Sequence, residues 1–259
     1  MSILEVKNLT IQFGGLRAVD DFNLSLKQGE LVAIIGPNGA GKTTIFNMLT
    51  GIYRPTAGSI ELEGENMVGL KPYQFAQRGI TRTFQNIRLF SNASVADNVK
   101  MAATMHSQDK LASCLLRTPK MLEHERALDE KVMALLERLN LADKADLLAK
   151  NLPYGDQRRL EIARALMTDP KILLLDEPVA GMITTELEEM AQLVVQIRQD
   201  FNVSIIMIEH HMNFVMPIAD RIKVVDFGKT ISEGAPDVVQ KDPKVIEAYL
   251  GGGYQNVNA

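Results

Sequence analysis

The segment that most constrains this chain is residues 31–51, LVAIIGPNGAGKTTIFNMLTG. Its first five residues are apolar and predict a buried strand. Residues 44–49 continue at helical spacing, and Gly51 is the residue type that ends a helix. Between strand and helix, residues 36–43 fill the pattern G-x-x-x-x-G-K-[ST]. Strand, glycine-rich loop and helix therefore occur in the order that a P-loop requires.

The residue types of this loop suit the phosphates of a nucleotide. Its three glycines let the backbone turn its N–H groups toward phosphate oxygens, and the new helix presents its positive end to the same anion. We expect Lys42 to neutralise the β- and γ-phosphates and the Thr43 hydroxyl to bind Mg²⁺.

Composition excludes several classes of function. The apolar fraction of 46% and the charged fraction of 23% are those of an ordinary globular protein. A net charge of -4 provides no basic field for a nucleic-acid backbone, so we expect no nucleic-acid partner. The start of the chain lacks a signal-peptide pattern, no apolar run is long enough to cross a bilayer, and Cys114 is the single cysteine. These features predict a protein of the cytosol.

Short alternating segments surround the P-loop strand. Residues 3–12, 19–26 and 59–63 alternate apolar and polar side chains and predict a half-exposed antiparallel sheet around that strand. Phe13 follows the first segment, where its ring could stack on an adenine or close a small core.

The middle of the chain carries helical patterns. Residues 72–77 predict a short helix and residues 80–85 a strand, and residues 95–150 predict a mostly helical insertion. Residues 106–120 have mixed polarity and predict a connection or a short helix. Gly155 stands at the start of an amphipathic helix, which makes a second helix start suited to an anion.

Acidic and histidine side chains follow two later strands. The apolar strand in KILLLDEP, residues 171–178, ends in Asp176, which suits Mg²⁺, and Glu177, which suits the attacking water. His210 follows strand 203–208 and could contact a γ-phosphate or lie at a solvated strand end. Strands alternating with helices predict an α/β fold with a largely parallel central sheet and the nucleotide at the carboxyl ends of its strands.

Together these motifs resemble the ATPase subunits of ATP-binding cassette (ABC) transporters. The ordered set is the P-loop, TFQ at 83–85, QRRLEIARAL at 157–166 after a glycine turn, LLLDEP at 173–178, and a histidine after the next strand. RTFQNIRLF, the long segment 106–124 and the ending VIEAYLG look most like the LivG type of branched-chain amino acid importer.

The resemblance implies an α/β P-loop NTPase with a mainly parallel RecA-like core, an antiparallel β subdomain and an inserted α-helical subdomain. On this basis we expect the core and β subdomain in residues 1–90 and 160–259, and the helical signature subdomain in about 91–159. Residues 251–259 are expected to form a flexible tail.

The resemblance also assigns roles to single residues. Gln85 would link Mg²⁺ and water to the helical subdomain, Asp176 would serve Mg²⁺, Glu177 would be the catalytic base and His210 the switch histidine, with no role for His211. The residues expected on ATP are Phe13, Gly36, Pro37, Asn38, Gly39, Ala40, Gly41, Lys42, Thr43 and Thr44, with Tyr154, Gly155, Asp156 and Gln157 on the ATP of the other subunit.

Two segments depart from the family pattern. The usual signature Leu-Ser-Gly-Gly-Gln reads LPYGD at 152–156, so Pro153 replaces a serine whose hydroxyl would bond the γ-phosphate. In the loop after the strand that ends in Asp176, Ile183 stands where a polar side chain of the family would cross the dimer interface. With Pro153 there, the contact comes from backbone N–H groups or is absent, and Ile183 is expected to alter communication between the two ATP sites.

The implied function is ATP hydrolysis that energises uptake of branched-chain amino acids. The implied partners are integral-membrane permease subunits, docking on residues 84–90, a second ABC ATPase subunit, identical or related, and indirectly a solute-binding protein. The implied place is the cytoplasmic face of the membrane. Three alternatives stay open, namely the ATPase of another ABC transporter such as a lipopolysaccharide or lipid exporter, a non-transport ABC ATPase, and a small-molecule P-loop kinase.

Overall fold

A computed structural model describes residues 2–103 and 119–254. Its strands are β1 (Ser2–Phe13), β2 (Leu16–Lys27), β3 (Leu31–Ile35), β4 (Ala57–Leu62), β5 (Glu65–Asn66), β6 (Ile80–Arg82), β7 (Ile172–Asp176), β8 (Ser204–Ile208), β9 (Arg221–Asp226) and β10 (Lys229–Gly234). Its helices are α1 (Lys42–Leu49), α2 (Pro72–Gln77), α3 (Val95–Ala103), α4 (Pro119–Arg138), α5 (Tyr154–Leu166), α6 (Thr184–Asp200), α7 (Met212–Val215), α8 (Pro236–Val239) and α9 (Pro243–Tyr254).

The chain divides into two compact units. One comprises residues 1–82 and 171–259, and the other comprises residues 83–170. The second unit extends beyond the helical subdomain expected at 91–159 on both sides. Residues 84–88 belong to it because their backbone is hydrogen-bonded to side chains of α5.

The first unit contains two sheets. The antiparallel sheet has the strand order β2-β1-β4-β5, which confirms the three alternating segments as strands. The expectation that this sheet surrounds the P-loop strand is wrong, because β3 lies in a separate sheet of order β10-β9-β3-β8-β7-β6. Neighbours in that second sheet are parallel except β9 and β10, which are antiparallel. The predicted largely parallel sheet is confirmed.

The parallel sheet places the carboxyl ends of three strands at one edge. Every residue of β3, β7 and β8 is buried, as expected for parallel strands covered on both faces. Strand β8 pairs with β3 on one side and with β7 on the other. The loops that follow β3, β8 and β7 therefore emerge side by side, where ligands bind in α/β sheets.

Helix α1 is anchored by its apolar face. Ile45, Phe46, Met48 and Leu49 are buried in a core that also receives Phe22 from β2. Burial of a side chain of this size contributes roughly 1.5–3 kcal/mol relative to its exposure. The helix that starts at the P-loop is thus fixed by packing.

The strand predicted at 80–85 is shorter in the structure. Strand β6 ends at Arg82, because the backbone carbonyls of Phe84 and Gln85 accept hydrogen bonds from Arg158 instead of continuing the sheet. The short helix predicted at 72–77 is confirmed as α2.

The second unit is helical, as predicted. Helices α3, α4 and α5 and two single-turn 3₁₀ segments, Ala142–Lys144 and Ala149–Asn151, account for its regular structure in the described residues. Of the connection predicted at 106–120, residues 119 and 120 begin α4 and the rest, with Cys114, lies outside the described residues.

The end of the chain is more helical than expected. Helix α9 continues to Tyr254, so residues 251–254 are not part of a loose tail, and residues 255–259 lie outside the described residues. Within the described ranges, no helix combines the length and the hydropathy that spanning a membrane requires.

Candidate nucleotide-binding site

The P-loop requires glycine at two close approaches to neighbouring backbone. At Gly41, φ is +100°, and a Cβ would lie 2.6 Å from the carbonyl oxygen of Ala18. At Gly36, a Cβ would collide with the carbonyl oxygen of Val225. Larger side chains are therefore excluded at both positions, which explains two of the four fixed letters of the loop.

Lys42 folds back over the loop that it follows. Its Nζ donates hydrogen bonds to the carbonyl oxygens of Gly36, at 2.6 Å, and Pro37, at 2.8 Å. Burial lowers the pKa of Lys42, and the negative charges of Glu177 and Asp176 oppose that shift. A buried ammonium group thus stands at the loop, with carbonyl partners that phosphate oxygens would replace.

Asp176, at the end of β7, forms an ion pair that the sequence did not predict. Arg82 Nη2 lies 2.6 Å from Asp176 Oδ2, and the two side chains are only 5% and 6% exposed. Arg82 Nη1 also donates to Asn47 Oδ1 at 2.7 Å. The one available signal was the position of an arginine at the end of β6, the strand that pairs with β7.

Glu177 adopts an uncommon backbone conformation. Its φ is +47°, a left-handed value that is rare for residues other than glycine and that often marks functional sites. Its N–H donates to the carbonyl oxygen of Ile208 at 2.9 Å, and its Oε1 lies 4.0 Å from His210 Nδ1. That distance is too long for a hydrogen bond, so the expected base and the expected switch histidine do not hydrogen-bond each other.

Glu209 is a buried carboxylate that sequence reasoning missed. It is 0% exposed, and its Oε2 accepts hydrogen bonds from the N–H groups of His210, at 2.8 Å, and His211, at 3.1 Å. His211 Nδ1 lies 2.9 Å from the same oxygen, and the N–H of Val179 donates to Oε1 at 3.3 Å. His211, to which no role was assigned, is thus bonded to a buried charge.

The residues expected to hold Mg²⁺ supply the right kind of donor. Asp176 offers a carboxylate at the end of β7 and Thr43 a hydroxyl in the first turn of α1. Hard oxygen ligands of this kind, few in number and completed by phosphates and waters, are what Mg²⁺ uses in nucleotide sites. Burial with Arg82 keeps Asp176 in a fixed place for such an ion. Asp176 and Thr43 therefore fit this ion, and Gln85, the third residue expected to bind it, lies in the second unit.

Phe13 is a half-exposed ring beside a second aromatic residue. It is 46% exposed and lies edge-on to Tyr53, with ring centroids 5.4 Å apart at an angle of 73°. A ring this exposed does not close a core, which leaves adenine stacking as the proposed role. Tyr53 had no sequence signal beyond its residue type.

The signature residues begin α5 in the second unit. Pro153 is the residue before the helix, and the side chains of the expected ATP-contacting residues are used within the unit. Tyr154 Oη accepts from Arg158, Asp156 accepts from Lys144 Nζ at 2.7 Å, and Gln157 Nε2 donates to the carbonyl oxygen of Leu152. A helix start also leaves backbone N–H groups without intrahelical partners. The signature therefore presents backbone around Gly155 rather than a serine hydroxyl.

Side chains of α5 hold the segment that contains Gln85. Buried Arg158 donates to the carbonyl oxygens of Phe84, at 2.7 Å, and Gln85, and pairs with Glu161 at 3.0 Å. Glu161 also accepts from the N–H of Arg88 at 2.8 Å. Burial raises the pKa of Glu161, and these donors oppose the shift. The predicted Gln85 segment and the signature helix are thus bonded to each other within the second unit.

Two further positions bear on the site. Ile183 is the residue before α6 and is 66% exposed, with its N–H donated to Glu186 Oε2 at 3.0 Å.

Tyr249 of α9 interacts with the backbone of Gly36, and burial raises the pKa of this tyrosine to about 12. No pattern in the sequence indicates that the last helix reaches the P-loop.

Comparison of the sequence with known families agrees with these observations. The family described as ABC transporter matches residues 19–180, and the family described as branched-chain amino acid ATP-binding cassette transporter matches residues 229–255. The chain is 45% identical over 249 residues to the high-affinity branched-chain amino acid transport ATP-binding proteins BraF of Pseudomonas aeruginosa and LivG of Escherichia coli K12. Each match covers 96% of this chain and 98% of the relative.

The fold comparison points to the same family. A crystal structure of an ATP-binding cassette of an ABC transporter in its ADP conformation superposes with a TM-score of 0.84 at 30% identity. The match covers 97% of this chain and 99% of that one. The predicted fold class and family are confirmed. The chain therefore belongs to the ATP-binding cassette transporter family and is one of its ATP-hydrolysing subunits.

Proposed function

We propose that this ATPase energises the uptake of branched-chain, hydrophobic amino acids through a membrane permease. The observation that carries the proposal is the 45% identity to the BraF and LivG proteins along nearly the full length of both chains. The match of residues 229–255 to the branched-chain amino acid family supports it at the end of the chain that lies outside the general ABC match.

The proposed chemistry is attack of water on the γ-phosphate of ATP. Glu177 positions and deprotonates the water, and Lys42 and His210 stabilise charge that develops on the phosphoryl oxygens. Thr43 and Asp176 would hold Mg²⁺, which would supply further neutralisation of the phosphates. Glu177 Oε1 and His210 Nδ1 are 4.0 Å apart, so the two proposed residues do not hydrogen-bond each other.

We infer that two subunits bind ATP head to tail, each closing its signature on the other's P-loop. Because Pro153 replaces serine, the backbone N–H groups around Gly155 at the start of α5 would make the contact to the γ-phosphate. This helix is thirteen residues long, so its positive end is a suitable partner for the anion.

We place the permease contact on residues 84–90, at the inner face of the membrane. Phe90 in this segment is half exposed, and the guanidinium of Arg164 lies 5.0 Å from the centre of its ring. An exposed aromatic residue held by a neighbouring cation suits an anchor in an interface. Gln85 in the same segment would sense the bound nucleotide.

Transport by the reconstituted complex tests this function. The ATPase is assembled with its two permease subunits in proteoliposomes, the solute-binding protein is added, and ATP-dependent entry of labelled leucine, isoleucine and valine is measured. We expect uptake of these amino acids, and no uptake with Glu177→Gln. Failure to transport them, together with ATP-driven movement of a lipid probe, would overturn the proposal in favour of an exporter.

A further inference from the structure

We propose that Glu209 is a positioning residue for ATP hydrolysis, because its carboxylate ties the His210 loop to the loop that follows Glu177. The inference rests on the proposed function, in which His210 and Glu177 act on the γ-phosphate and the water. It adds a residue to that site without direct contact to either reactant.

The position of Glu209 in the sheet makes this possible. It is the first residue after β8, the strand between β3, which leads to the P-loop, and β7, which leads to Asp176 and Glu177. It is 0% exposed, although glutamate is rarely found fully buried unless it is paired. Its charge therefore needs partners in the protein, and the loops on this edge of the sheet provide them.

The partners of the carboxylate come from both loops. Oε2 receives the N–H groups of His210 and His211 and faces His211 Nδ1, whereas Oε1 receives the N–H of Val179 in the loop after Glu177. An ionised carboxylate only accepts hydrogen bonds and has about four acceptor sites. Three of the four contacts converge on Oε2 and one falls on Oε1, and an ionised carboxylate accepts from the His211 ring only when that ring carries its hydrogen on Nδ1.

The reacting side chains depend on this tie. The side chains of His210 and Glu177 are 4.0 Å apart and do not hydrogen-bond each other, so the hydrogen bonds between their two loops contribute to their relative placement. Those backbones are joined at two points, from the N–H of Glu177 to the carbonyl oxygen of Ile208 and through the carboxylate of Glu209. Loss of the second link would let the His210 loop shift, and a displacement of about 1 Å in a catalytic group can cost about 10²-fold in rate.

The test replaces the carboxylate without changing its shape. In Glu209→Gln, one side-chain oxygen stays as an acceptor and the other is replaced by an NH₂ group. An NH₂ group cannot accept a hydrogen bond from the N–H groups that face it. For ATP hydrolysis by the full-length protein we expect kcat to fall by about tenfold or more, while KM for ATP changes by less than about twofold because the P-loop is untouched. The matched control is Glu188→Gln, the same chemical change at an exposed position of α6, with wild-type kinetics expected.

A double-mutant cycle separates positioning from a general structural defect. Because Glu209 acts through His210, Glu209→Gln should cause little further loss of single-turnover phosphate release in a His210→Ala background. If Glu209→Gln does not fold, His211→Ala, which removes one donor to the carboxylate, takes its place in the same cycle with a smaller expected loss.

Each failure has its own meaning. Wild-type kcat in Glu209→Gln together with slow hydrolysis in His210→Ala would overturn this inference and leave the proposed site standing. The same is true of an equal loss from Glu209→Gln in the wild-type and His210→Ala backgrounds. Wild-type hydrolysis by His210→Ala would instead refute the role of the histidine in the proposed function, and with it the basis of this inference.

Discussion

Arg82 and Asp176 form a buried ion pair, with Arg82 Nη2 2.6 Å from Asp176 Oδ2. The carboxylate proposed for Mg²⁺ thus already has a positive partner from the neighbouring strand β6. Arg82 also donates to Asn47 of α1, so a single guanidinium joins the helix after the P-loop to the end of β7. The P-loop side of the proposed nucleotide site is therefore connected to the side that carries Asp176.

Removal of this guanidinium should destabilise the protein strongly. Arg82→Met takes the positive charge from a buried carboxylate, and loss of one partner of a buried pair costs about 3–5 kcal/mol. The control is Arg78→Met, which breaks the pair with Glu65, whose side chains are 31% and 56% exposed, and should cost about 0–1 kcal/mol. Urea unfolding measures both values. Equal losses in the two variants would show that the buried pair contributes no more than a surface pair.

The proposed catalytic base gives the second prediction. Glu177→Gln should slow ATP hydrolysis by about 10² or more, because general-base catalysis contributes about 10²–10⁴-fold, and should leave ATP binding intact. Phosphate release measures the first effect and equilibrium titration with a labelled nucleotide the second. Unchanged hydrolysis would show that another group activates the water, and Glu188→Gln again serves as the surface control.

The buried lysine predicts a pH effect on nucleotide binding. Burial lowers the pKa of Lys42 below its ordinary value of 10.5, and phosphate oxygens beside the ammonium would raise it again. In alkaline buffer, where Lys42 loses its proton, the nucleotide complex holds more protons than the free protein. Nucleotide binding then takes up protons, and the affinity for the nucleotide falls as pH rises. At any pH low enough for Lys42 to be protonated in both states, uptake of protons by this group vanishes. Calorimetry in buffers of different ionisation enthalpy measures the uptake, and none at alkaline pH would contradict the prediction.

The sequence predicted the parts of the site that follow local rules. The P-loop has a spacing fixed by backbone geometry, and buried strands such as β7 are continuous apolar runs, so Asp176 and Glu177 were expected at a strand end. The family and the parallel sheet could be inferred from the order of these elements.

The remaining features depend on contacts between distant residues. Arg82 and Glu209 are ordinary charged letters in the sequence, and their burial depends on tertiary structure such as the pairing of β6 with β7 and of β7 with β8. The early end of β6 has the same kind of cause, because Arg158, far along the chain, takes the carbonyl of Phe84. The spacing of apolar residues indicates which face of a helix or strand is buried. It does not indicate which polar group of another element lies opposite that face.

The link between α5 and the Gln85 segment gives the fourth prediction. Arg158→Met removes donors from the carbonyl oxygens of Phe84 and Gln85 and the charge beside buried Glu161. We expect a loss of about 3–5 kcal/mol in stability and faster amide hydrogen exchange in residues 84–88. Arg126→Met, at an exposed position of α4, should change neither quantity. Unchanged exchange in 84–88 would mean that these residues are held by other contacts.

Ile183 gives the last prediction, because it is the residue before α6 and its side chain offers no hydrogen bond to the first turn. Glu186 already accepts the N–H of Ile183, which is one half of a capping box. Ile183→Asn would supply the other half, and a capping side chain at this position contributes about 0.5–2 kcal/mol. Ile183→Ala removes the same exposed apolar surface without adding a cap. Chemical denaturation should therefore show Ile183→Asn more stable than Ile183→Ala by about 1 kcal/mol, and equal stabilities would mean that the helix start has no free N–H group to cap.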